Sequence, residues 1–162
     1  LINVSCVLYV KVINIIHSWD IMALKRTAHA NWKGTLKDGS GSMDFGTYKD
    51  LNYGFTSRFE NGEGTNPEEL IAAAHAGCFT MVFNVALERA GFLPDYVDTD
   101  ANVKFEKLDE GWRITNIHLV TTAKIDGIGN DQFQEIANNS KNGCPISNAL
   151  AAIPITLEAN LA

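Results

Sequence analysis

Positive charge is scarce in this chain: 13 Lys and Arg stand against 19 Asp and Glu, a net charge of −6 over 162 residues. That balance excludes nucleic acid or an anionic membrane as the main partner, since both select clustered cations. Cysteine is scarce too. Three cysteines are too few for the disulfide framework of a small secreted domain. In a reducing cytosol, the expected location, a disulfide between any two of them would be transient and catalytic. No Cys-x-x-Cys or His-x-x-x-His spacing supports zinc. The early glycines are not followed by Gly-Lys-Ser/Thr, which excludes a phosphate loop. Repeats, linkers and low-complexity tracts are absent from the sequence. What is present is a globular composition, 46% apolar and 20% charged, long enough for one domain with a core.

The first 21 residues differ from the rest. Leu1 to Trp19 is rich in Val, Ile and Leu, and Lys11 is its only charge. No basic region precedes the apolar run and no small-residue cleavage site follows it, against a secretory signal. Asn3, Lys11, Asn14 and His17 interrupt it, against a membrane span. The expectation is an upstream or cloning-derived extension over 1–21, ahead of a start at Met22, and a single domain over 22–162. Cys6 falls in the extension and is given no role.

Alternation over Thr27 to Thr35 predicts a strand, and Ser42 to Tyr48 and Tyr53 to Phe59 predict two more, with polar Lys49 to Asn52 between them. Asn66-Pro67-Glu68-Glu69 carries an N-cap, a proline at N1 and a capping-box glutamate, so a helix starts there. It runs to about Ala90, where Gly91 stops it. Leu70 to Leu87 holds almost no charge, so this helix is expected to be buried nearly all round, within its own domain or against a second subunit. Asp95 to Asp100 reads as a solvated loop. Thr99 to Leu108 and Trp112 to Ile125 read as strands, Asp131 to Asn142 as a helix, Cys144 to Ala152 as a short helix, and Ile155 to Leu161 as a last strand. The fold class is α+β.

Two cysteines occupy contrasting settings. Cys78 lies in the apolar helix, where a cysteine is either inert packing with a raised pKa or, with a cation nearby, a reactive thiolate. Arg58 is a candidate cation, expected at a strand end, and Glu68 a candidate bidentate holder of its guanidinium. Each is equally readable as a surface charge or a first-turn dipole partner. Glu68 precedes Cys78 by ten residues, about 15 Å along a straight helix, so direct contact is not expected. His75 shares a helix face with Cys78 and reads as a core or interface histidine, with acyl transfer or hydrolysis by a Cys78–His75 pair as the rival. Cys144 opens a helix, where the dipole and free N–H groups favour a reactive thiol, or where a small apolar residue plugs the helix start. Paired with Arg58 and Glu68, the two cysteines point to peroxide reduction by a thiolate. A stress-induced binding module with packed, inert cysteines is the non-enzymatic alternative.

The runs Arg58-Phe59-Glu60, Thr65-Asn66-Pro67-Glu68-Glu69-Leu70, Ala73-Ala74-His75-Ala76-Gly77-Cys78-Phe79 and Asn142-Gly143-Cys144-Pro145-Ile146-Ser147 closely resemble the OsmC/Ohr family of osmotically induced and organic hydroperoxide resistance proteins. The His-Ala-x-Cys-Phe form resembles its OsmC branch, and the resemblance extends from about Lys25 to the C-terminus. It implies antiparallel sheets around a long buried central helix, in an intertwined homodimer. It implies a thiol peroxidase for organic hydroperoxides, with hydrogen peroxide a poorer substrate. Cys78 corresponds to the peroxidatic thiolate, Cys144 to the resolving thiol, and Arg58 and Glu68 to the activating pair, with Arg58 acting in cis or in trans. A Cys78–Cys144 disulfide and an external dithiol, such as lipoyl groups on a carrier protein, complete the implied cycle. No metal, flavin or haem is implied.

Overall fold

In the computed structural model of the protein the described residues are 23–162. The expected extension over 1–21 and Cys6 lie outside them. A meander of β1 (Ala28–Lys33), β2 (Ser40–Phe45) and β3 (Tyr48–Tyr53) leads into a one-turn helix α1 (Phe55–Phe59). The long helix α2 (Pro67–Arg89) follows, then the hairpin of β4 (Tyr96–Leu108) and β5 (Gly111–Lys124). Helices α3 (Asn130–Gly143) and α4 (Pro145–Ala149) return the chain to β6 (Ile155–Leu161). The strands form two three-stranded sheets, β1-β2-β3 and β4-β5-β6, in the α+β class the sequence indicated.

Three local expectations are corrected. Residues 53–59 do not form a strand. Gly46, at φ +54°, turns the chain early, so polar Lys49 to Asn52 belong to β3 and pair with β2. The next residues then coil: Phe55 and Phe59 stack at a helical spacing of four, with ring centroids 5.0 Å apart, and Ser57 Oγ accepts from the Gly54 N–H at 2.9 Å. Residues 95–100 are not a loop. β4 starts at Tyr96, and Val97, Thr99, Ala101 and Val103 alternate inward against outward Asp98 and Asp100. Those aspartates decorate the wet face of a strand. Finally, β6 runs parallel to β5, because the α3–α4 crossover delivers the chain back to the same end of the sheet.

The helix α2 organises the core. Asn66 caps it, accepting from the Glu69 N–H at 2.9 Å while its own amide donates to the Ser57 carbonyl at 3.0 Å. One cap thereby ties α2 to α1. Phe79, Phe83 and Leu87 are fully buried at helical spacing and pack with Leu119 and Ala123 of β5 and Phe133 and Ala137 of α3. Phe83 meets the Phe133 ring edge-on, centroids 5.4 Å apart. The expectation of burial all round does not hold within one chain. Ala73, Ala74, Gly77, Met81 and Val85 are exposed, Met81 at 71%. The uncovered face is as apolar as the covered one; among the described residues the main contacts of α2 are with β4, α3 and α4.

Replacing Asn66 by Ala removes the cap and strands the Ser57 carbonyl. The expected cost is about 2 kcal/mol of unfolding free energy, read by urea titration at constant m-value. A loss below a quarter of that would mean the cap is not what starts α2.

Candidate active site

Two pairs of side chains that the sequence singled out are each in direct contact. The first is the thiol pair. Cys78 lies on α2 and is half-buried; Cys144 is the N-cap of α4 and is fully buried in the core. Pro145 at N1 starts α4, and the chain bends sharply between α3 and α4 at Cys144. That bend aims the Cys144 thiol at α2, where it donates to Cys78 Sγ at 3.3 Å. Both thiols are free. A disulfide needs the sulfurs about 2.05 Å apart, so closing the bond takes a shift of about 1.3 Å.

The second pair is ionic. Arg58, in the last turn of α1, donates from Nη2 to Glu68 Oε1 at 2.7 Å and from Nε to Glu68 Oε2 at 3.1 Å. This two-point grip fixes the plane of the guanidinium. Glu68 is buried in the first turn of α2, where the helix dipole also favours its charge. The guanidinium lies over the rings of Phe59 and Phe105, 5.3 and 5.1 Å from their centroids, and Phe105 stacks on Trp112 at 4.9 Å. A cleft of about 610 Å³ opens between this aromatic wall and Glu68.

Within one chain the two pairs do not meet. Glu68 and Cys78 are ten residues apart on an unbroken α2, about 15 Å along its axis. Electrostatics agree with the separation. Burial pushes the Cys78 thiol above its ordinary value, the Ile146 backbone N–H pulls it the other way, and the Cys144 thiol adds to the rise. No guanidinium of the same chain is among the groups acting on it.

His75 is fully buried, and its Nε2 is 2.8 Å from Ser147 Oγ. Its Nδ1 has no hydrogen-bond partner among the described residues. Its hydrogen bonding is thus directed at α4 and not at Cys78, the geometry of a core histidine. Among the described residues no group of three or more His, Cys, Asp or Glu is gathered as a metal site. Sequence reasoning missed three features: Ser147, the Ile146 N–H on Cys78, and the aromatic wall beneath Arg58. Only Ser147 had a readable signal, since it follows Cys144 by one helical turn, as His75 precedes Cys78 by one.

Burial holds the His75 pKa below the ordinary imidazole value of 6.5. Between the folded and unfolded values the unfolded chain binds a proton that the folded one does not. Stability is therefore complete above about pH 6.5 and falls as the pH drops toward the depressed value. A series of urea titrations from pH 7.5 to 5 is expected to show that fall, and His75→Gln to flatten it; an equal slope in both would remove His75 as its source.

Comparison with known proteins gives a consistent family. A family model described as OsmC-like protein matches residues 60–158. The chain is 43% identical to "Peroxiredoxin OsmC" of Escherichia coli (strain K12) over 142 residues, 86% of this chain and 99% of that one. It is 27% identical over 130 residues to "Organic hydroperoxide resistance protein OhrB" of Bacillus subtilis (strain 168), covering 80% and 90% of the two chains. Among solved structures, an OsmC-like protein of unknown function from Vibrio cholerae superposes with a TM-score of 0.68 at 16% identity, over 84% of this chain and 99% of that one; this likeness is one of fold.

Proposed function

We propose, from the premise that the chain belongs to the OsmC-like protein family, that it is a thiol peroxidase reducing organic hydroperoxides. The observation that carries the reading is the 3.3 Å contact between the Cys78 and Cys144 sulfurs. The names of the relatives, a peroxiredoxin and an organic hydroperoxide resistance protein, support the same class.

In the proposed cycle the Cys78 thiolate attacks a peroxide oxygen. The O–O bond breaks, the alkoxide takes a proton and leaves as an alcohol, and Cys78 becomes a sulfenic acid. Cys144 then attacks that sulfur, water leaves, and a Cys78–Cys144 disulfide forms. An external dithiol, such as a lipoyl group on a carrier protein, restores both thiols by exchange. Reliance on thiols kept reduced fits a cytoplasmic enzyme. Half-burial of Cys78 against the apolar core cluster that includes Phe79 fits organic hydroperoxides better than hydrogen peroxide.

A thiol held high by burial needs a cation to ionise near neutral pH. Arg58 and Glu68 fill that role in this reading, and their distance from Cys78 along α2 favours action in trans. A second copy laid on the exposed Ala73, Ala74, Gly77, Met81 and Val85 face would complete the burial of α2 and bring a partner guanidinium to the sulfur, in a homodimer with two shared sites. Acyl transfer by a Cys78–His75 pair finds no support, as His75 Nε2 is engaged by Ser147.

The test is intact mass and kinetics without reductant. One equivalent of cumene hydroperoxide is expected to remove two protons from the wild type, to leave a single oxygen on Cys144→Ser, and to do neither to Cys78→Ser. Arg58→Ala is expected to slow the first step by about 10²-fold or more, the scale for losing a charge-stabilising donor. Hydroperoxide consumption by Cys78→Ser at the wild-type rate would sink the reading.

A further inference from the structure

We propose that His75 and Ser147 are a positioning pair for disulfide formation, holding the segment that carries Cys144 against the helix that carries Cys78. The inference deepens the two-thiol reading and rests on it for its catalytic meaning. It starts from a local correspondence. His75 stands one turn before Cys78 on α2, and Ser147 stands one turn after Cys144 on α4. The two helices are therefore pinned at neighbouring turns, once by sulfur on sulfur at 3.3 Å and once by Nε2 on Oγ at 2.8 Å.

The polar contact is buried at both ends: His75 is 0% and Ser147 7% exposed. Water cannot replace it, so either partner left alone keeps an unmet polar atom in the interior. The direction of the bond follows from the other ring nitrogen. Nδ1 has no partner among the described residues, and an orphaned buried N–H is rarer and costlier than a bare lone pair. The proton is thus on Nε2, and His75 donates to Ser147 Oγ.

The short helix needs this anchor. α4 has five residues and is held internally by few bonds, among them Asn148 N–H to the Cys144 carbonyl and Leu150 N–H to the Ile146 carbonyl. One turn is not stable alone and takes its place from tertiary contacts. After hydroperoxide has oxidised Cys78, a new S–S bond must form to Cys144 while the S–O bond breaks, the hydroxyl leaving as water with the Cys144 proton. The Cys144 sulfur has to stay opposite that S–O bond while α4 shifts by little more than an ångström. If α4 drifts, a second hydroperoxide reaches the sulfenic acid first and carries it to sulfinic acid.

Two measurements separate this inference from the peroxidase reading. The first needs no peroxide: equilibration of the Cys78–Cys144 pair in glutathione buffers gives the effective concentration of the two thiols. Ser147→Ala and His75→Asn, whose amide is one bond too short, are each expected to lower it about tenfold. His75→Gln places an N–H donor the same number of bonds from Cα and is expected to retain it. The second is rapid quench with cumene hydroperoxide. In Ser147→Ala the oxidation of Cys78 should keep its rate, while disulfide formation slows and sulfinic acid, 32 mass units heavier, accumulates. Wild-type effective concentrations in both Ser147→Ala and His75→Asn would overturn the positioning pair and leave the peroxidase reading intact. A wild type that equilibrates with glutathione yet forms no disulfide with hydroperoxide would overturn the peroxidase reading, and the glutathione result would still decide the positioning pair.

Discussion

Phe79, Phe83 and Leu87 have to be taken out of water, and the surface that receives them decides where every other feature lies. Each is fully buried, worth about 1.5–3 kcal/mol apiece in transfer free energy. They seat α2 on the β4–β5 hairpin and on α3 along one stripe. With that stripe fixed, Cys78 stands at its edge, half-buried, and His75 lies inside it. The turn between α3 and α4 then has one place to go, and Cys144 joins the same core cluster as the phenylalanines. The sulfur contact thus begins with core packing, and the His75–Ser147 hydrogen bond lies beside it as the proposed polar anchor.

The same helix carries a conflict. Its covered side positions a thiol whose pKa burial raises, while its other side displays alanines, Met81 and Val85 that are exposed among the described residues. One chain supplies a sulfur pair and a gripped guanidinium, but Glu68, which grips it, stands about 15 Å from Cys78 along α2. In the proposed homodimer both difficulties have one answer: the uncovered face and the missing cation are met by the second copy. By length and composition α2 is apolar enough to cross a bilayer, yet it starts on a buried carboxylate paired with Arg58 and packs on a sheet, as a core helix does.

Much of this was legible in the residues. Asn66-Pro67-Glu68-Glu69 marked the start of α2, and Gly91, at φ +90°, its end. The resemblance named both cysteines, Arg58 and Glu68. What failed was local and had physical causes. The spacing of Phe55 and Phe59 is helical, but a polar stretch before it looked like a break between strands. Asp98 and Asp100 disguised the alternation of β4. The parallel pairing of β6 depends on the whole crossover and leaves no local mark. The low charge of α2 was read as burial within its own domain or against a second subunit, and sequence is silent on which of the two covers the surface. The His75–Ser147 bond joins residues 72 positions apart, and no periodicity reports such a pair.

The central claim is that the Cys78 and Cys144 sulfurs, in contact in the reduced protein, bond to each other when a hydroperoxide arrives. Peptide mapping of the native protein after one equivalent of an organic hydroperoxide tests it most directly. A single cross-linked peptide joining residues 78 and 144, formed faster than any link between chains, is the predicted result. Recovery of both cysteines as free thiols, or of Cys78 over-oxidised with Cys144 untouched, would contradict it.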